Sequence, residues 1–121
     1  MKDSTPLGGL PLWEEDGFTM PQCSAILRML GIRYGYYHTD SQICYEIDSI
    51  VDYMEDFVPK CSGFLYKKLM GTGEVDVSKT DEYMDSTWNK FLPVIEARLA
   101  GHGKPFIAGT DRPTIADFKA W

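Results

Sequence analysis

The chain has 121 residues, enough for one hydrophobic core but few for two domains of ordinary size. Apolar residues make up 44% and charged residues 25%, proportions typical of a globular protein. Twelve Lys and Arg against eighteen Asp and Glu give a net charge of −6, which opposes phosphate backbones and anionic lipid headgroups. We therefore expect no nucleic acid among its partners.

Cysteine content and apolar runs bear on the cellular compartment. The three cysteines, Cys23, Cys44 and Cys61, are odd in number and widely spaced, which matches neither a disulfide framework nor a metal-ligand pattern. We therefore expect a reducing compartment, the cytoplasm, and no metal site. No apolar run is long enough to span a membrane, and none follows Met1 as in a signal sequence.

The first elements predicted are a β-hairpin and a short helix. Strand-like runs around residues 10–14 and 18–20 flank an Asp-Gly dipeptide, which is typical of tight hairpin turns. From Pro21 onward the apolar residues recur with helical spacing. We expect this helix to end at Gly31, with the glycine as its C-cap.

A helical region is predicted after a connector of turn composition, with the connector at residues 32–43 and the helical region at 44–121. Its first helix shows an apolar stripe at helical spacing, formed by Ile47, Ile50, Val51, Met54 and Phe57. After a break at 71–77 a second helix is predicted, with a kink at Pro93. The stripe of this second helix consists of Met84, Trp88, Phe91, Leu92, Ile95 and Leu99.

A reciprocal helix N-cap is predicted near the end of the chain. Thr114 and Asp117 stand three residues apart just before Phe118, so each side chain can accept a hydrogen bond from the other residue's backbone N–H. The chain stops at Trp121, and a helix this short is unstable alone because nucleation dominates. We therefore expect the natural protein to continue beyond Trp121.

Three motifs, taken in this order, resemble the cytosolic glutathione S-transferase family. They are Gly9-Leu10-Pro11 leading into the Asp-Gly hairpin, the helix start at Gln22 with its Ala-Ile-Leu-Arg sequence, and the cap box within 112–118. The acidic helix around 48–57 is similar to that of the sigma class. Each motif alone is common, whereas their order and spacing are specific to the family.

The resemblance implies an α+β fold in two incomplete parts. Residues 1–31 correspond to the C-terminal part of a thioredoxin-like, glutathione-binding domain, and residues 44–121 to a truncated all-α C-terminal domain. The family's first strand–helix–strand unit, which carries the activating Tyr, Ser or Cys, would precede Met1. We therefore expect a chain incomplete at both ends, with no catalytic residue of its own.

The resemblance also implies glutathione contacts near the start of the chain. In the family, the residue before a cis-proline pairs its backbone with the cysteinyl part of glutathione, and Leu10 and Pro11 match. Gln22 and Cys23 match the helix start whose free N–H groups receive the γ-glutamyl carboxylate. Since the family usually has Ser where Cys23 stands, a weaker thiol donor replaces a hydroxyl. Cys23 is alternatively a reactive thiolate or a buried, inert cysteine.

Charged residues complete the implied site. Lys2 stands where some members place a lysine against the glycine carboxylate, although a frayed terminal lysine is an equal alternative. Asp48, Asp52, Glu55 and Asp56 form an acidic stripe. In dimeric members an acid on this helix reaches the ligand's ammonium across the twofold axis, so Asp52, Glu55 and Asp56 are candidates, and we choose Asp56. The stripe could instead bridge a divalent cation or be a solvated face.

The resemblance implies a glutathione transferase that uses glutathione as co-substrate, conjugates it to small electrophilic substrates and forms a homodimer. A non-catalytic scaffold in a larger assembly is the alternative, favoured by the Ser-to-Cys change at Cys23, and a thiol–disulfide enzyme built on Cys23 is a third. Six aromatic residues are expected either to line an apolar pocket for the second substrate or simply to pack in the core: Tyr34, Tyr36, Tyr37, Tyr45, Tyr53 and Trp88.

Overall fold

The computed structural model describes residues 5–70 and 80–121, and its side-chain description covers 5–57 and 85–121. Lys2 and the predicted break at 71–77 lie outside the described residues, as does the side chain of Met84. In chain order the described elements are β1 (Leu12–Glu15), β2 (Phe18–Pro21), α1 (Cys23–Tyr34), α2 (Ser41–Met70), α3 (Thr80–His102) and α4 (Ile115–Ala120).

The predicted hairpin is present: β1 lies one or two residues later than predicted, whereas β2 begins at Phe18 as predicted and extends one residue further. β1 pairs with β2 in antiparallel register, with Leu12 opposite Pro21 and Glu15 opposite Phe18. Asp16 and Gly17 form the two-residue turn and both have positive φ, at 51° and 78°. Such a turn matches the twist of the two strands, and Asp followed by Gly adopts it readily.

Helix α1 runs past the glycine that was predicted to end it. The prediction of Gly31 as C-cap is wrong: α1 continues to Tyr34, and Gly35, at φ 79° in the left-handed region, is the C-cap. Gly31 is buried because α4 passes directly over it. α1 and α2 thus extend into the predicted linker, while the domain limits at 31 and 44 stay a prediction.

The apolar stripe of α2 forms the centre of the core, as predicted from its spacing. Its side chains are buried, and Ile47, Ile50 and Val51 are among the most completely enclosed in the described residues. The cluster also contains Phe91 of α3 and a second set of residues from α4 and the loop before it: Ile107, Ala108, Ile115 and Ala116. Each large apolar side chain buried here contributes roughly 1.5–3 kcal/mol.

The stripe of α3 is buried only in part. Phe91 is buried and Ile95 packs partly against the core, whereas Trp88, Leu92 and Leu99 are exposed. α3 runs continuously through Pro93, and the predicted kink there stays a prediction. The exposed side chains of Trp88 and Leu92 border a cavity of about 300 Å³. This cavity is lined also by Met54, Phe57, Lys119, Ala120 and Trp121.

The predicted cap box holds α4 in place. Oδ2 of Asp117 accepts hydrogen bonds from the Thr114 backbone N–H at 2.7 Å and from the Thr114 hydroxyl at 3.0 Å. Oδ1 of Asp117 accepts the backbone N–H of Ile107 at 3.0 Å. A single carboxylate thus starts α4 and ties it to the preceding loop. Within the described ranges, none of the helices combines the length and apolar character needed to cross a membrane.

Candidate functional site

Leu10 and Pro11 lead directly into β1. The peptide bond between them is cis, as the resemblance implies. The Leu10 side chain is 69% exposed, and Pro11 is exposed as well. The structure therefore leaves the entry to β1 accessible from solvent.

Gln22 is the N-cap of α1 and has a strained backbone. Its φ of 78° and ψ of 110° are unusual for a residue with a side chain, and its side chain makes no capping hydrogen bond. The first backbone bond of the helix runs from the Ile26 N–H to the Gln22 carbonyl at 3.0 Å. The N–H groups of the preceding turn have no acceptor within the helix, and together with the helix dipole they suit a carboxylate.

Sequence reasoning found the position of Gln22 but missed its strain. Positive φ in a residue other than Gly, Asn or Asp is uncommon, and no feature of the sequence around Gln22 signals it. Such conformations cost about 1–3 kcal/mol and cluster at ligand-binding sites. The strain therefore marks this turn independently of the motif.

Cys23 is the first residue of α1 and carries an exposed, free thiol. The alternative that this cysteine is buried and inert is therefore wrong. The thiol lies at the same turn as the first amides of the helix. Cys44, the other free cysteine described, instead donates its thiol to the carbonyl of His38 at 2.9 Å.

The acidic stripe of α2 contacts α1 rather than solvent alone. Arg28 of α1 binds Asp48 through Nε at 2.6 Å and Asp52 through Nη2 at 2.9 Å. The Tyr37 hydroxyl donates to the other oxygen of Asp48 at 2.6 Å. Burial, followed by this bond to Asp48, raises the pKa of Tyr37. The bond to Asp48 raises the pKa of Arg28, although burial opposes it.

Glu55 belongs to a second link between helices. Its Oε1 accepts the Ser24 hydroxyl of α1 at 2.6 Å and the Lys119 ammonium of α4 at 2.6 Å. These bonds, that of Lys119 first, lower the pKa of Glu55 against the opposing effect of burial. The solvated-face alternative thus fails for Asp48 and Glu55. Nothing in the stripe's spacing reveals these partners, because they come from other helices.

Asp56 differs from the neighbouring acids. It is exposed, and none of the described side chains gives it a hydrogen bond or an ion pair. Its charge is a secondary cause, after burial, of the raised pKa of Tyr53. Of the candidate acids, Asp52 and Glu55 have described partners within the chain.

The six aromatic residues do not line one pocket. Tyr36 and Tyr37 border one cavity, Tyr45 borders another and Trp88 a third. Tyr53 packs against Phe91 with ring centroids 4.8 Å apart, and Tyr36 meets Phe118 edge to face at 5.1 Å. Core and surface packing thus accounts for several of them. In the described part of the chain, no three His, Cys, Asp or Glu side chains are placed to hold a metal ion.

Sequence comparison identifies glutathione S-transferases as relatives of this chain. Glutathione S-transferase 1 of Ascaris suum is 34% identical over 110 residues, which cover 90% of this chain and 53% of that protein. Glutathione S-transferase 2 of Manduca sexta is 36% identical over 98 residues, covering 78% and 47%. The chain spans about half the length of the curated relatives it matches. No family model matches it.

The fold of the chain is similar to that of solved glutathione S-transferase structures. The glutathione S-transferase from Ascaris lumbricoides superposes with a TM-score of 0.84 at 33% identity, over 95% of this chain and 56% of that one. Na-GST-3, described as a monomeric glutathione S-transferase of the hookworm Necator americanus, gives 0.87 at 29% identity, over 98% and 57%. The resemblance and the predicted fold class are confirmed: the chain is similar to glutathione S-transferases, with the end of a thioredoxin-like domain followed by helices.

Proposed function

We propose that this chain, a relative of glutathione S-transferases in sequence and fold, binds glutathione at the start of α1 and orients it for conjugation to small electrophiles. The observation that carries the proposal is the turn at Gln22: its backbone is strained, its side chain gives no cap, and, as at any helix start, the first amides of α1 have no intrahelical acceptors. The likeness to glutathione S-transferases does not favour the alternative of a non-catalytic scaffold.

The chemistry of glutathione fits the groups around this turn. In our proposal the γ-glutamyl carboxylate accepts hydrogen bonds from the amides at Gln22 and Cys23, since helix N-termini favour anions. The extended peptide of glutathione pairs with the backbone at Leu10, next to Pro11, as an added strand does. The exposure of Leu10 supports this step.

Two charged residues complete the proposed contacts. Asp56 receives the ammonium of glutathione across the twofold axis of a homodimer, and its exposure supports that role. Lys2 pairs with the glycine carboxylate. We assign binding and orientation to these residues, and no catalytic role to any of them.

The proposed reaction forms a bond between the glutathione sulfur and an electrophilic carbon. The thiol proton passes to solvent water and the sulfur donates an electron pair. The electrophile either releases a leaving group with its bonding electrons or takes the electrons into its π-system and is then protonated by water. We further propose that the protein is a cytoplasmic homodimer. The free thiols of Cys23 and Cys44 suit a reducing compartment.

Calorimetric titration of the purified chain with glutathione tests the binding proposal. We expect saturable binding that Gln22→Ala weakens about tenfold, because the side-chain amide of Gln22 is a further hydrogen-bond donor at the turn whose backbone N–H groups receive the carboxylate. Gln42→Ala is the matched control, since Gln42 is also an exposed glutamine near a helix start. Absence of binding to the unmodified chain would contradict the proposal and leave an interaction subunit as the function.

A further inference from the structure

One carboxylate oxygen connects three helices beside the proposed glutathione site. Oε1 of Glu55, on α2, lies 2.6 Å from the Ser24 hydroxyl on α1 and 2.6 Å from the Lys119 ammonium on α4. Ser24 follows Cys23 directly and belongs to the first turn of α1. The contact therefore attaches the anion-binding turn itself, rather than the body of α1, to the helical part of the chain.

The charges make this attachment stronger than an ordinary surface contact. The Lys119 side chain is only 15% exposed, while that of Glu55 is 48% exposed. A charged acceptor shortens and strengthens the hydrogen bond from a hydroxyl such as that of Ser24. Lys119 binds the same oxygen of Glu55, so the ion pair between α2 and α4 holds the acceptor of the Ser24 bond in place.

The first turn of α1 needs such an attachment because its own bonds are few. Gln22 has a strained backbone and gives no side-chain cap. Arg28, one turn after Ser24 on the same face of α1, binds Asp48 and Asp52 of α2. Successive turns of α1 are thus fastened to the same helix, and Ser24 is the fastening nearest to the binding turn.

We propose that Glu55 is a positioning residue for glutathione, which acts through Ser24 to hold the amides at Gln22 and Cys23 in place. This inference rests on the proposed function. Hydrogen bonds weaken steeply with distance and angle, so a turn that moves loses its hold on a carboxylate. Glu55 itself contacts no ligand; Asp56 does, in our proposal.

Substitutions on each side of the contact separate positioning from general stability. Ser24→Ala removes the link to α1 but keeps the ion pair of Glu55 with Lys119, so the helical core is retained. We expect it to weaken glutathione binding about three- to tenfold in calorimetry. Ser24→Thr keeps a hydroxyl and should restore affinity to within about twofold of the unmodified chain. Glu55→Gln keeps an oxygen that can accept the Ser24 hydroxyl but loses the charge, so it should weaken binding less than Ser24→Ala does. Glu96→Gln on the exposed face of α3 is its control.

Amide hydrogen exchange without glutathione gives a second readout. The Ile26 N–H makes the first backbone bond of α1, so its exchange rate reports opening of the binding turn. We expect Ser24→Ala and Glu55→Gln to accelerate this exchange several-fold, and Ser24→Thr and Glu96→Gln to leave it unchanged.

The two proposals fail in different ways. Absence of glutathione binding by the unmodified chain overturns the proposed function, and the exchange of Ile26 then decides whether Glu55 holds the turn. Affinity in Ser24→Ala and Glu55→Gln equal to that of a binding-competent unmodified chain overturns the positioning role. A loss of affinity that Ser24→Thr fails to restore overturns it as well, because the hydroxyl is then not the cause.

Discussion

Gly31 of α1 lies directly against Ile115 of α4. A β-carbon placed on Gly31 would come within 2.5 Å of Cγ2 of Ile115 and within 3.4 Å of Cβ of Tyr37. The adjoining loop is fastened at the same place, because the Ile115 N–H donates to the Tyr36 carbonyl at 2.9 Å. Glycine is therefore required here for the close approach of two helices, and not for a turn.

Gly31→Ala is expected to destabilise the protein despite the better helix propensity of alanine. Ile115 is almost fully buried and cannot move aside freely, so overpacking should cost about 1–3 kcal/mol, against a propensity gain of about 1 kcal/mol. Urea unfolding measures the net loss. Gly101→Ala is the control, because nothing lies within 4 Å of a β-carbon there. Equal effects of the two substitutions would contradict the close packing.

Asp117→Asn is expected to lower the free energy of unfolding by about 1–3 kcal/mol. In asparagine an NH₂ group replaces Oδ2, and this group cannot accept the two hydrogen bonds from Thr114. Asp111→Asn provides the comparison, since the Asp111 side chain is 77% exposed and Lys104 is its ion-pair partner among the described side chains. Asp111→Asn should lower the free energy of unfolding by less than about 0.5 kcal/mol in the same thermal or urea unfolding measurement. A large effect at Asp111 would show that the helix cap is not the cause.

Gln22→Gly is expected to stabilise the protein while weakening glutathione binding. Glycine adopts positive φ without strain, and the relief should exceed its extra unfolded-state entropy, for a net gain of about 1 kcal/mol. Gln42→Gly, within α2, should instead cost about 0.5–1 kcal/mol. Urea unfolding compares the two. A loss of stability in Gln22→Gly would mean that the side chain contributes more than the strain removes.

Glu55→Gln is expected to lose stability at neutral pH and to match the unmodified chain in acid. The bonds from Lys119 and Ser24 lower the pKa of Glu55 below its ordinary value in the folded state. The stabilisation is therefore complete above the unfolded-state pKa and disappears as pH falls through the folded-state pKa. Because Glu55 is half exposed, solvent screening keeps the difference small, below about 1 kcal/mol.

Urea unfolding of both proteins between pH 7 and pH 3 measures this difference. It should shrink progressively below about pH 4.5, as the carboxyl group is protonated. Glu96→Gln should show no such trend, since Glu96 is exposed and has no partner among the described side chains. A difference that stays constant, or grows in acid, would contradict the ion pair with Lys119.

Local patterns in the sequence predicted the elements that depend on local interactions. The Asp-Gly turn, the buried stripe of α2 and the cap box at Thr114 and Asp117 all follow from backbone preferences or from helical spacing. The start of α1 at Cys23 was also predicted to within two residues. The resemblance carried by the ordered motifs was enough to indicate the glutathione S-transferase fold.

Tertiary structure alone decided what depends on residues far apart in the chain. The role of Gly31 depends on Ile115, and the partners of Glu55 come from α1 and α4. The positive φ of Gln22 likewise has no local signal in the sequence. Periodicity shows which face of a helix is apolar. The contacts that position the binding turn arise only when helices pack, because each contact involves a residue of another helix. Residue spacing within one segment does not specify that partner.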